Sequence, residues 1–185
     1  MPAPPRLDPK KLVLDEMSAD VDVSTFSCDD DDLDDFLRTD ALPLRDLGIT
    51  RVHVGLYDGA VVGYMATLAD AVQLKTSESK KLGLRHDDQH VIPAMKIGRL
   101  AVSSAFRQQY RGAGTELIRY AVDLATMASR TMGCRLLTVD AYAASVTFYE
   151  KLGFVRNKVT RPEARTVSMR FDISAKRLPA WLRGA

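Results

Sequence analysis

From Ala94 to Val139 the chain reads as an apolar strand, a glycine-bearing turn, a long amphipathic helix and a second apolar strand. The first strand covers Ala94 to Val102 and ends in Ile97-Gly98-Arg99-Leu100-Ala101-Val102. The helix is predicted over residues 112–131, where Leu117, Ile118, Ala121, Val122, Ala125 and Ala128 recur at helical spacing. Gly133 is expected to stop it as a left-handed cap. Leu136-Leu137-Thr138-Val139 is apolar on both faces, as an interior strand covered by helices would be. A striped helix and a two-faced apolar strand bury each other only in layers of helix on sheet.

The flanking segments fit that frame. Lys11 to Leu14 reads as a first short strand. Six of the seven residues from Asp29 to Asp35 are aspartate, a run without the central glycine and distal glutamate of a calcium loop. Leu33, Phe36 and Leu37 recur at helical spacing, so the aspartates read as a solvated helix start. Arg51 to Tyr57 alternates like a strand, Asp58-Gly59 is a two-residue turn, and Val61 to Ala66 is the returning strand. Residues 75–90 are polar and aperiodic and read as a long connection; His86 and His90 fall there as exposed loop residues rather than metal ligands. Ser145 to Leu152 forms a short helix ended by Gly153, Phe154-Val155 begins a strand, and Thr166 to Phe171 alternates as the last one. The resulting fold class is α/β (α+β), a mixed, mostly antiparallel sheet of six to seven strands flanked by helices.

Length and charge bound the function. The 185 residues are 46% hydrophobic and 27% charged, which suits one globular domain. Residues 1–9, with four prolines, read as a flexible leader, 10–173 as a single domain and 174–185 as a tail. The tail's Trp181 has two readings, an interface or a cover for the core. No run approaches the ~20 apolar residues of a membrane span, and the N-terminus lacks a secretory apolar run, so no membrane partner and a cytoplasmic location are expected. Cys28 and Cys134 fit no metal spacing and read as reduced fillers, and no metal is expected. Net charge is +2, but residues 155–185 carry eight basic and two acidic side chains. Such a region attracts a polyanion or forms a solvated edge, and the edge is the simpler reading.

The chemistry concentrates in Gln109-Tyr110-Arg111-Gly112-Ala113-Gly114-Thr115, between the strand and the long helix. The first N–H groups of a helix have no internal partner and the helix dipole favours an anion there. Gly112 and Gly114 remove the Cβ atoms that would block a phosphate, and Arg111 adds a donor. The spacing is neither a dinucleotide fingerprint nor a P-loop.

This segment resembles the Gln/Arg-x-x-Gly-x-Gly/Ala signature of the GNAT superfamily of N-acetyltransferases. Arg99-Leu100-Ala101-Val102 is similar to that family's fourth strand, and Phe148-Tyr149-Glu150-Lys151-Leu152-Gly153-Phe154 to its Phe-Tyr-x-x-x-Gly-Phe block. The likeness is clear from about residue 95 to 156. It implies a GNAT-like sheet whose central parallel strands splay around acetyl-CoA as co-substrate. Backbone at Leu100, Ala101 and Val102 would pair with the pantetheine arm, and N–H groups from Tyr110 to Thr115 would cradle the pyrophosphate. Arg107 and Arg111 would offer side chains, with Ser145 and Phe148 beside the arm. Tyr149 matches the tyrosine that protonates the departing thiolate, and Phe148 would anchor the helix.

There are two departures from the pattern: two extra residues precede Gln109, and Asp140-Ala141-Tyr142-Ala143 replaces an asparagine after the fifth strand. Lys96 and Arg99 stand where many relatives carry a glutamate base, leaving Asp140 through water, or no base at all. An α-amine, with pKa ~7.7–8.0, needs none as strongly as a lysine at ~10.4 does.

The resemblance implies an acetyl-CoA-dependent N-acetyltransferase acting on a primary amine. Phe26-x-Cys28 and Leu33-Asp34-x-Phe36-Leu37 are similar to a subgroup that includes toxins of toxin–antitoxin pairs, which acetylate the α-amine of aminoacyl-tRNA. That alternative brings tRNA and an antitoxin as partners; homodimer formation is open, and a non-catalytic acyl-CoA-binding module is a third reading.

Overall fold

The computed structural model describes residues 3–84, 91–158, 165–174 and 179–182. His86 and His90 lie outside the described residues. Seven strands form one sheet in the order β1-β2-β3-β4-β5-β7-β6. They are β1 (Leu12–Glu16), β2 (Arg51–Tyr57), β3 (Ala60–Gln73), β4 (Val91–Val102), β5 (Leu136–Tyr142), β6 (Val155–Arg156) and β7 (Thr166–Asp172). Among the described residues six α-helices accompany them: α1 (Asp31–Asp35), α2 (Ala41–Asp46), α3 (Thr76–Lys81), α4 (Ser104–Gln109), α5 (Ala113–Thr131) and α6 (Val146–Lys151). The sheet is mixed and mostly antiparallel, as expected. Its parallel pair is β4 with β5, matched from Ala94↔Leu136 to Ile97↔Val139; β4 then continues to Val102 and β5 to Tyr142.

The chain divides into two compact units, residues 1–68 with 98–120 and residues 69–97 with 121–185. In the first, Asp58 (φ 50°) and Gly59 (φ 83°) make the left-handed turn that joins β2 to β3 in register Tyr57↔Ala60. One core packs Phe26, Phe36, Leu37, Val52, Val54 and Tyr64. A second packs Leu7, Tyr57, Val62, Phe106 and Ala113. Asp30 caps α1 by accepting Leu33 N–H, which accounts for the start of the aspartate run. Asp34 plays a different part: it is buried and accepts Ser27 Oγ at 2.7 Å and Cys28 N–H at 2.8 Å. A π-helical turn, Phe36–Asp40, links α1 to α2.

In the second unit, Leu74, Ile92, Ala94 and Leu136 form a core. Residues 75–81 differ from the expected connection: they hold α3, and its Glu78 is buried. One Glu78 oxygen accepts the Lys75 N–H at 3.2 Å; the other takes Arg170 at 2.6 Å and Lys158 N–H at 3.1 Å. A single buried carboxylate thus ties a polar helix to β7, which hydropathy alone does not signal. Trp181 covers the core, donating Nε1–H to the Leu152 carbonyl at 3.1 Å beside Phe171. α5 ends as predicted, but Gly133 is not left-handed. A Cβ there would make only ordinary contact with Pro93, at 3.4 Å.

Candidate active site

Within the first unit, β4 delivers Leu100, Ala101 and Val102 at its end. Ala101 is buried, while Leu100 and Val102 are half-buried. The parallel register with β5 stops at Ile97, before these residues. β4 packs tightly against its other side: a Cβ at Gly63 would stand 2.9 Å from the Ala101 carbonyl oxygen, so glycine is required there. Ser103 N–H donates to Val62 O at 2.9 Å and turns the chain into α4.

α4 is where the extra residues before Gln109 go. Ser103 caps it, Ser104 N–H donates to Ser27 O at 2.9 Å, and Phe106 packs edge-on against Tyr57 at 5.2 Å. The insertion is therefore an extra helical turn anchored by an aromatic, not a loose loop. It leaves Gln109 exposed and points Arg107 at the Cys28 carbonyl (3.0 Å) and Asp29 (3.4 Å).

The turn into α5 is built on Gly112, whose φ of +107° favours glycine. Two N–H groups of the expected cradle are already engaged: Tyr110 N–H donates to Phe106 O at 2.8 Å and Arg111 N–H to Pro5 O at 2.9 Å. The first helical bond of α5 is Glu116 N–H to Gly112 O at 3.1 Å. The N–H groups of Gly112, Ala113, Gly114 and Thr115 thus have no helical acceptor among the described residues, as a helix start dictates. Of the expected cradle, these four N–H groups are the ones left without a helical acceptor. Glu116, buried in the same turn, accepts Arg6 at 3.4 Å and Arg119 at 3.0 Å on its two oxygens.

Within the second unit, β5 passes through the turn Ala143–Ser145 into α6. Ser145 is half-buried at its head. Tyr149 is buried, its ring edge-on to Phe148 at 5.1 Å and Phe154 at 5.3 Å. The packing anchor of α6 is therefore Tyr149 itself, and Phe148 is only half-buried. This reverses the expected division of labour, because Phe154 and Phe171 (5.4 Å apart) offer an aromatic bed on the Tyr149 side. Burial pushes the Tyr149 phenol up to about 12. No hydrogen bond to its hydroxyl is found among the described residues. Lys96 pairs with Asp140 across β4 and β5, so the residues at the expected base position already neutralise each other. Thr138, buried next to Lys96, donates to Asp70 at 2.6 Å.

A model of the acetyltransferase (GNAT) domain matches residues 49–156, more than half of the chain. The chain belongs to the GNAT acetyltransferase family. As a member it is an acetyl-CoA-dependent acetyltransferase. A tRNA-acetylating toxin of Mycobacterium tuberculosis is 32% identical over 120 residues, covering 65% of this chain and 69% of that one. The structure of AtaT complexed with acetyl-methionyl-tRNAfMet is 25% identical, with TM-score 0.74 over 87% of this chain and 94% of that one. A tyrosine-to-phenylalanine mutant of the AtaT toxin, bound to the C-terminus of the antitoxin AtaR and acetyl-CoA, shares the fold at 22% identity and TM-score 0.69, covering 88% and 94% of the two chains. No helix among the described residues is long and apolar enough to cross a membrane.

The sequence reading missed Arg6, Glu116 and Asp34 as members of these assemblies. Glu116 carried a faint signal as an acidic residue in a first helical turn. Arg6 carried none, being 110 positions from its partner.

Proposed function

We propose that this acetyltransferase transfers the acetyl group of acetyl-CoA to the α-amine of aminoacyl-tRNA, as the toxin of a toxin–antitoxin pair. The likeness to the tRNA-acetylating toxin of Mycobacterium tuberculosis carries the acceptor, since it spans about two thirds of both chains. The likeness to AtaT in complex with acetyl-methionyl-tRNAfMet supports it. An antitoxin partner belongs to the same proposal, in line with the AtaT structure bound to the C-terminus of AtaR.

In this reading the N–H groups of Gly112 to Thr115 hold the pyrophosphate and Arg111 adds its exposed side chain. Leu100, Ala101 and Val102 offer strand-edge backbone to the pantetheine amides, with Ser145 and Phe148 beside the arm. The neutral amine nitrogen attacks the thioester carbonyl, the C–N bond forms and the C–S bond breaks. The Tyr149 hydroxyl gives its proton to the departing sulfur, and the proton lost by the amine returns through water to restore the phenol. A phenol held near 12 stays protonated throughout the working range. A thiolate leaving in equally dry surroundings is itself more basic, which offsets the weaker acid. The pairing of Lys96 with Asp140 leaves no free carboxylate at that point of β4, and an α-amine suits such a site because a useful fraction of it is already neutral near pH 7.

The test is an acceptor screen following CoA thiol release, with charged tRNA, peptides and small amines compared side by side. Charged tRNA is expected to drive release. Turnover with peptides or small amines and none with charged tRNA would move the acceptor elsewhere. Expression should also arrest growth and Tyr149→Phe should relieve the arrest; normal growth with robust soluble expression would remove the toxin reading.

A further inference from the structure

The N-terminal residues before β1 read as a leader in the sequence, yet Leu7 is buried, in the core with Tyr57, Val62, Phe106 and Ala113. Residues 5–7 form a bridge to the glycine turn. Arg111 N–H donates to Pro5 O at 2.9 Å, Leu7 N–H donates to Arg111 O at 3.0 Å, and Arg6 lies parallel to Arg111. Both backbone groups of Arg111 are thereby spent on the N-terminal segment, which sets the position at which Gly112 turns left-handed.

The bridge also delivers a cation. A Cβ placed on Gly112 would find Arg6 Cγ at 3.6 Å and Arg6 Nε at 3.8 Å, so the Arg6 side chain lies over that glycine. Its guanidinium reaches Glu116 Oε1 at 3.4 Å, while Arg119 holds the other oxygen at 3.0 Å. Glu116 would otherwise present a buried negative charge beside the four N–H groups at the start of α5. With one oxygen on each arginine it is neutralised. The Arg6 side chain remains 59% exposed, and its guanidinium has five donor hydrogens for more than one acceptor.

We infer that the segment Pro5–Leu7 is a working part of the donor site: its backbone fixes Arg111, and Arg6 donates to the acetyl-CoA pyrophosphate above Gly112. The inference rests on the reading that Gly112–Thr115 hold the pyrophosphate. It adds a ligand-binding residue from a segment outside the matched family domain, which begins at residue 49.

The test measures binding of three probes, CoA, dephospho-CoA and pantetheine, to the full chain and to Arg6→Gln and Arg6→Lys. A charge-assisted hydrogen bond at a partly exposed site predicts that Arg6→Gln weakens CoA and dephospho-CoA alike, by about five- to tenfold. Pantetheine, which has no phosphate, should bind both proteins equally, and Arg6→Lys should recover part of the loss. An unchanged CoA affinity in Arg6→Gln overturns the inference. So does a loss shared by pantetheine, which would mark a structural role, or a loss confined to CoA, which would put Arg6 on the 3′-phosphate. If the unsubstituted protein binds CoA no tighter than pantetheine, the pyrophosphate reading itself fails, a result distinct from failure of Arg6 alone.

Discussion

Tyr149 serves two roles that pull in opposite directions: its ring holds α6 against Phe154, and its hydroxyl is the proposed acid. Removing only the hydroxyl separates them. Tyr149→Phe keeps the aromatic packing and is expected to lower kcat about 100-fold, with KM for acetyl-CoA nearly unchanged. Because burial holds the phenol near 12, the rate should rise with the acceptor's neutral fraction and then level off to pH 10. A fall centred near pH 10 would show an ordinary, solvated phenol. His53 offers a second residue-scale test. It is buried in β2 against Tyr120 at 5.3 Å, its Nδ1 has no hydrogen-bond partner among the described residues, and burial lowers its pKa. A histidine that binds its proton more weakly when folded contributes stability above the unfolded value of ~6.5, and that stability is lost as pH falls toward the folded value. Urea unfolding between pH 7.5 and 5 should show this decline, and His53→Phe should flatten it.

Among the elements, α3 and the start of α5 depend most on contacts distant in sequence. α3 is short and polar, and Glu78 joins its N-terminus to Arg170 and Lys158. Glu78→Gln leaves Arg170 buried without its counter-ion, expected to cost about 3–5 kcal/mol, measured by urea denaturation. Replacing both partners, as Glu78→Leu with Arg170→Met, should recover much of that loss, since burying two charges is itself expensive. Arg170 is thus a structural cation, so the basic C-terminal region offers fewer free charges than its composition suggests. At α5 the left-handed Gly112 is the sensitive point. Gly112→Ala meets no hard contact, since Arg6 stands at 3.6 Å, but the backbone at φ +107° is strained by about 1–2 kcal/mol. Its melting temperature should drop and its CoA affinity weaken together.

At the scale of the whole molecule, a ligand that binds only the folded chain stabilises it by mass action. Acetyl-CoA at a hundred times its Kd contributes about 2.7 kcal/mol, which for 185 residues corresponds to a rise in Tm of about 5–10 °C. Scanning calorimetry against acetyl-CoA concentration measures it, and no shift at saturating acetyl-CoA would contradict the proposed donor site. Much of the architecture was legible beforehand. Seven strands in their chain order, the Asp58-Gly59 turn, the span of α5 and the placement of Tyr149 on a short helix all follow from patterns a few residues long. Hydrophobic period, turn chemistry and glycine spacing are local signals, and these elements are specified locally. α3, α4, the buried Glu78 and the bridge from Pro5–Leu7 to Arg111 were not legible. Each depends on a partner brought close only by folding: Arg170 for Glu78, Tyr57 for Phe106 and Glu116 for Arg6. The sequence by itself carried, in three short motifs, the resemblance that points to the family and its donor, and it marked the turn into α5, because a helix start bearing two glycines needs no distant residue to attract an anion. The tertiary structure alone decided which N–H groups of that turn remain free, and that Arg6 lies over Gly112. Hydrogen bonds are spent between residues more than a hundred positions apart, and no local pattern records where they go.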